Sequence, residues 1–206
     1  PAAWEATRAE LRLDGGTTVA TRPYGILEDW PFAPLRAGAT HRLEARVIGA
    51  DGTASAWSEP CEIRAGFPAE AWNAPFLRLA SPRRTAQPFL ARRDFEVAET
   101  VVAAELQVAA HGVYRARLNG VEVDDAVLNP GWTAYQHRLP LHLTDVTPLV
   151  RVGATNTLAV EVAGGWYTEA YGFGETAERF YGDQPAVAPL LRLRHRDGHV
   201  EEIRPD

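Results

Sequence analysis

The chain is predicted to be all-β. Short runs of alternating apolar and polar residues recur along it, Gly, Pro, Asp and Asn signals cut those runs at close intervals, and helical periodicity is almost absent. Strands at that density, separated by turns of that kind, point to two-sheet sandwiches.

Each segment supports this in turn. Ala2 to Glu10 starts like a helical turn, but Leu11 and Leu13 already alternate with Arg12 and Asp14, and Asp14-Gly15-Gly16 supplies a turn. Leu43, Ala45 and Val47 fall on one face of a strand within residues 35–47, and Asp51-Gly52 predicts a hairpin turn. Ser55-Ala56-Trp57-Ser58-Glu59-Pro60 then leads into a strand from Cys61 to Ala65. This order is similar to the closing half of a fibronectin type III domain, and it departs from that family at His41, near where a Tyr commonly sits. The resemblance implies a fibronectin type III-like sandwich over residues 1–66. Cys61 is the lone cysteine, which excludes an internal disulfide and a cysteine-based metal site; it is expected to be a buried structural thiol.

Residues 67–75 read as a linker, with Trp72 expected to dock it onto one of its neighbours. A second β unit, residues 76–206, follows. Its strands are predicted at Phe89–Val97, Val101–Val108, Val113–Leu118, Arg138–Leu143, Thr157–Val162, Leu190–Arg194 and His199–Arg204. Asn119-Gly120 between two runs predicts a two-residue hairpin turn with positive φ, and Asp197-Gly198 another turn.

Bulk properties narrow the function classes. A net charge of −6 spread without blocks argues against nucleic acid, which demands a basic face. All basic residues are Arg and none is Lys, to which we assign no function. No stretch is long and apolar enough to cross a bilayer as a helix, no signal-peptide pattern opens the chain, and localisation (secreted or cytoplasmic) stays open. The six His residues show no H-x-E or H-E-x-x-H spacing, which argues against zinc.

Three groups of residues carry a resemblance. Asn119-Gly120, Asp145-Val146-Thr147-Pro148-Leu149-Val150 and Gly153-Ala154-Thr155-Asn156-Thr157-Leu158-Ala159-Val160 together resemble the jelly-roll (galactose-binding-like) β-sandwich of multi-domain glycosidases. The phrases Asp125-Ala126-Val127-Leu128-Asn129-Pro130-Gly131-Trp132-Thr133-Ala134-Tyr135-Gln136-His137-Arg138 and Gly165-Trp166-Tyr167 … Tyr181-Gly182-Asp183-Gln184-Pro185-Ala186 resemble the N-terminal domain of bacterial α-L-rhamnosidases. The family pattern runs on beyond Asp206, so residues 76–206 are expected to lack the last strands.

Candidate site residues follow from ring and carboxylate chemistry. Trp132, Trp166, Tyr167, Tyr171 and Tyr181 present rings on which the apolar face of a deoxysugar can stack. Asp124, Asp125 and Asp183 can accept sugar hydroxyls or, with loop carbonyls, ligate calcium. Some rhamnosidase N-terminal domains are calcium-dependent rhamnose-binding modules, and that likeness points to Asp124-Asp125 and to the loop from Thr168 to Asp183. The structural alternatives are core or interdomain packing for Trp132 and Trp166, a solvated turn for the Asp pair, and solubility alone for Glu169, Glu175 and Glu178.

The resemblance implies the non-catalytic N-terminal part of an α-L-rhamnosidase, supporting a catalytic (α/α)6 barrel elsewhere in the polypeptide and contacting rhamnosides. Hydrolysis needs two carboxyls set across a sugar pocket, no phrase here resembles the family's catalytic segments, and the chain is expected to be inactive alone. The alternatives are an autonomous calcium-dependent rhamnose-binding module and a structural β-sandwich spacer.

Overall fold

The computed structural model describes residues 4–16, 19–23, 30–36, 38–66, 72–170 and 179–204. The chain divides into two compact units, Pro1–Asn73 and Ala74–Asp206. Most of the predicted linker, positions 67–71, lies outside the described residues.

In the first unit β1 (Ala6–Leu13), β2 (Val19–Pro23), β3 (Thr40–Gly49) and β4 (Cys61–Arg64) form one antiparallel sheet in the order β2-β1-β3-β4. The helical turn expected at the start gives way to strand from Ala6, because pairing with both β2 and β3 satisfies backbone groups that one isolated turn would leave open. Positions 2 and 3 are outside the described residues. The register sets Ala9, Leu11 and Leu13 opposite Val47, Ala45 and Leu43 on one face, and Glu10 and Arg12 opposite Arg46 and Glu44 on the other. Both charge pairs close, Arg12 Nη2 to Glu44 Oε1 at 2.5 Å and Arg46 Nη2 to Glu10 Oε2 at 2.7 Å.

The Ser-x-Trp-Ser phrase explains how that charged face is covered. Beyond the short β4, Ser55 and Ser58 continue the edge of β3: each donates its N–H to β3 (Val47 O at 2.9 Å, Ala45 O at 2.8 Å). Each hydroxyl also accepts the N–H of the same β3 residue, at 3.1 Å. Trp57, fixed between them, lies with the Arg12 and Arg46 guanidinium carbons 4.4 and 4.7 Å from its ring centroid. Cys61 is exposed, contrary to the buried thiol expected; it opens β4, the edge strand of this sheet, and donates weakly to Glu62 O.

The second unit is a two-sheet sandwich. The strands are β5 (Phe89–Val97), β6 (Val101–His111), β7 (Val113–Leu118), β8 (Val121–Glu122), β9 (His142–Asp145), β10 (Ala154–Ala163), β11 (Ala186–His195) and β12 (Val200–Ile203). They form two four-stranded antiparallel sheets, β5-β10-β7-β8 and β12-β11-β6-β9. Inward residues of both sheets, among them Leu106, Leu118, Val160, Leu191 and Leu193, share one buried cluster. Each such side chain contributes about 2 kcal/mol by leaving water. The strand expected at Arg138–Leu143 starts later, at His142. Arg138 instead donates its N–H to Ala134 O and its Nε to Thr133 Oγ1, closing a loop. One short helix, α1 (Gly165–Thr168), follows β10 where none was predicted.

One corner holds this sandwich in register. Asn119 (φ +56°) and Gly120 (φ +83°) form the predicted hairpin turn. Asn119 Nδ2 donates to Leu149 O and to Asn156 Oδ1, both at 2.8 Å, while its Oδ1 accepts the N–H of Thr157 at 2.9 Å. Asn156 has no exposed surface. Its Oδ1 also accepts the N–H of Arg151 at 2.8 Å, and its Nδ2 donates to Arg151 O and Ala154 O. Replacing Asn156 by Ala strips partners from part-buried groups at Asn119, Arg151 and Ala154. The expected cost is on the order of 3 kcal/mol, measured as a lower urea midpoint at unchanged m-value.

Candidate functional site

Two loop regions of the sandwich bring functional side chains together. The first is the segment after β8. Asp124 Oδ1 accepts the N–H of Ala126 at 3.0 Å and Nδ2 of Asn129 at 3.1 Å, and the N–H of Tyr114 donates to Asn129 O at 2.7 Å. Asp124 therefore ties its own loop down. It also faces Tyr114, whose hydroxyl is pushed well above the usual phenol range, chiefly by burial and then by this charge. Asp125 beside it is exposed.

The second region is a continuous chain of rings. Phe76 stacks on His111 (centroids 4.6 Å apart, planes 9° apart), and His111 stacks on Tyr167 (4.5 Å, 4°). Tyr135 meets Tyr167 edge-on at 5.2 Å and Tyr181 at 4.9 Å, and Phe180 meets Tyr181 at 5.0 Å. The rings come from segments far apart along the chain, with Tyr167, Phe180 and Tyr181 sharing the connection between β10 and β11. His111 ends β6, Tyr167 sits in α1, Tyr135 lies in the loop between β8 and β9, and Tyr181 precedes β11. Gly182 makes room: a Cβ there would run into the Tyr167 ring and hydroxyl.

Electrostatics agree with this convergence. Burial raises the Tyr135 hydroxyl, followed by its neighbours Tyr181 and Tyr167, and burial then Asp183 raises Tyr167. Three phenols and one carboxylate thus share a neighbourhood. Phenol hydroxyls both donate and accept, the carboxylate accepts, and the ring faces offer apolar surface, which is the chemistry a polyhydroxylated ligand needs.

Of the residues named from sequence, Tyr167, Tyr181 and Asp183 fall in this second region and Asp124 and Asp125 in the first. Trp132 stands 61% exposed in the loop after β8, and Trp166 is half-buried in α1. Tyr171, Glu175 and Glu178 lie outside the described residues. Tyr135, His111 and Phe76 were not singled out as candidates. Tyr135 carries a signal, an aromatic three residues after Trp132 in the same phrase; His111 and Phe76 carry none. For calcium, no group of three or more His, Cys, Asp or Glu gathers among the described residues, and Asp124 is engaged by its own loop. The described residues alone do not make a cage for the ion.

His111 gives this stack a pH dependence. Burial between Phe76 and Tyr167 lowers its pKa, so the unfolded chain binds the proton more readily. Stability is then complete above the unfolded value, near pH 6.5, and falls as the pH drops below it. Between pH 7 and 5 the His111→Phe variant is expected to lose less melting temperature than the wild type, read by circular dichroism.

Comparison with known proteins adds the family. The α-L-rhamnosidase N-terminal domain model matches residues 99–206. An α-L-rhamnosidase of Streptomyces avermitilis is 38% identical over 156 residues, covering 73% of this chain and 15% of that protein. One from Formosa agariphila is 34% identical over 122 residues, covering 58% of this chain and 13% of that protein. The crystal structure of native α-L-rhamnosidase from Aspergillus terreus superposes with a TM-score of 0.71 at 30% identity, over 98% of this chain and 25% of that one. The chain thus spans 15% of the length of the curated Streptomyces relative. Two-sheet fold, corner asparagines and aromatic phrases agree with the match, and the chain belongs to the α-L-rhamnosidase N-terminal domain family.

Proposed function

We propose that this chain is the non-catalytic N-terminal part of an α-L-rhamnosidase, that it supports a catalytic region of the same polypeptide, and that it contacts the rhamnosyl group through Tyr135, Tyr167, Tyr181 and Asp183. The observation that carries the contact is the meeting of three tyrosines from two connections, Tyr135 between β8 and β9 and Tyr167 and Tyr181 between β10 and β11, with Gly182 clearing the space against Tyr167. A packing role alone needs ring faces; a deoxysugar uses the hydroxyls and Asp183 as well. The relatives, named α-L-rhamnosidases and several times longer, supply the substrate class and the larger polypeptide.

A calcium-dependent rhamnose-binding module is the second reading. What favours it is the exposed Asp125 next to Asp124, which holds its loop in place. Here Asp124 and Asp125 would face the ion, with further ligands from the segment before Asp183.

Calorimetric titration with L-rhamnose separates the readings. Contact at the tyrosines predicts millimolar-range binding that Tyr181→Ala weakens by about tenfold, or about 1.4 kcal/mol, and that EDTA leaves unchanged. Loss of the signal with EDTA and with Asp125→Ala selects the calcium module. No heat at millimolar sugar in the wild type leaves only a structural spacer.

A further inference from the structure

A hollow beside the loop after β8 is lined by no member of the ring chain. On the outer face of β5, β10 and β7 lies a hollow of about 550 Å³ whose floor includes Arg115 and Glu161. Its rim is aliphatic: Leu90, Val127 and Leu128 are 61%, 76% and 58% exposed. The rim is also fixed, because Asp124 ties the loop to Asn129, and Leu128 itself is held at φ +58°. Pro88 also lines a second hollow of about 370 Å³, together with Arg83, Arg84 and Gln87.

Charge distinguishes that second hollow. Arg78, Arg83, Arg84, Arg92 and Arg93 follow one another with no acidic residue before Asp94, in a chain of net charge −6. Within that run Arg92 is engaged by Asp94, and elsewhere Arg12, Arg46 and Arg117 are engaged by carboxylates. Arg83 and Arg84 have no ion pair among the described residues, and both are exposed. Their backbone is nevertheless held. The Arg83 N–H donates to Gln87 Oε1 at 2.7 Å, the Ala86 N–H to Asp183 O at 2.8 Å, and Gln184 Nε2 to Arg84 O at 3.4 Å. The carboxylate within the larger hollow, Glu161, is already taken by Arg117 at 2.5 Å, and Arg115 lies 3.5 Å from Glu122.

We propose that these two neighbouring hollows, which share Pro88, bind a carboxylate-bearing oligosaccharide, with uronate groups on Arg83 and Arg84 and the less polar faces of adjoining sugars on Leu90, Val127 and Leu128. Guanidinium pairs suit planar carboxylates, and an aliphatic ledge suits the C–H faces or methyl groups of sugars. The inference rests on the reading of the chain as a saccharide-contacting region, which favours a sugar over an acidic peptide, and it adds a site and a ligand charge that the tyrosine cluster does not have.

The test is calorimetric titration of the chain with tetragalacturonate at low ionic strength. Binding is expected in the wild type, about tenfold weaker in Arg83→Ala/Arg84→Ala, and falling as salt passes about 0.1 M, where screening reaches roughly 10 Å. Leu128→Ser is expected to weaken binding without changing its salt dependence. Melting temperatures verify that these exposed substitutions leave the fold intact. Absence of heat with tetragalacturonate in the wild type overturns the proposal, as does equal affinity for its methyl ester. Hexaglutamate binding as tightly as the sugar would overturn it in favour of an acidic peptide. L-Rhamnose titrated in parallel reads the tyrosine site separately: its binding unchanged in the arginine double variant, with tetragalacturonate inert, sinks the proposal for the hollows and leaves the tyrosine reading standing.

Discussion

The Asn119–Asn156 clasp is the constraint on which the second unit depends. Two amides, Asn156 buried and Asn119 half-buried, lock the β7–β8 hairpin, the turn at Leu149–Arg151 and the start of β10 to one another. β10 pairs with both β5 and β7, so its register fixes the whole sheet. Because the side-chain period of a strand is two, a slip of one residue would turn Val160 and Val162 out of the core and Glu161 in. The same register reaches the candidate site. β10 runs directly into α1, so the corner at Asn156 sets where Tyr167 meets His111 and Tyr135.

The two units rest on different physics. The second buries a shared cluster of aliphatic and aromatic side chains. In the first, Ile48 is the one described hydrophobic residue that is fully buried, and its sheet relies on cross-strand charge pairs roofed by Trp57. Partly exposed ion pairs contribute at most about 1 kcal/mol each and weaken with salt. The serine clamps on β3 matter correspondingly more there, since they satisfy edge groups that β4 is too short to reach.

Much of this was legible in the sequence where alternation was clean. Phe89–Val97 and Val113–Leu118 are strands over the residues their periodicity marks, and Asn119-Gly120 turns as its chemistry requires. Boundaries failed where local signals compete. Arg138–Leu141 alternates yet loops, because Thr133 and Ala134 capture Arg138. Cys61 looked like a core residue and is exposed, since the edge position of β4 is a tertiary fact. The candidate site was half legible. Tyr167 and Tyr181 stand in recognisable phrases, whereas His111 and Phe76 join them through contacts between distant segments that leave no local pattern.

A chain of net charge −6 recognising an anion presents an apparent conflict, and distance resolves it. At physiological salt a charge is felt over roughly 8 Å, so the overall balance is largely screened and the immediate neighbours dominate. Glu161, in the adjoining hollow, is already neutralised by Arg117, and Asp183, whose backbone carbonyl accepts the Ala86 N–H, is the acid beside the arginine segment itself. A carboxylate arriving there meets two guanidiniums before it meets the negative remainder. At the tyrosine cluster the charge has the opposite sign, since Asp183 lies near enough to raise the Tyr167 hydroxyl. The two proposed sites therefore differ in charge and not in distance, because the bond from the Ala86 N–H to Asp183 O joins the arginine segment to the segment that carries Tyr181.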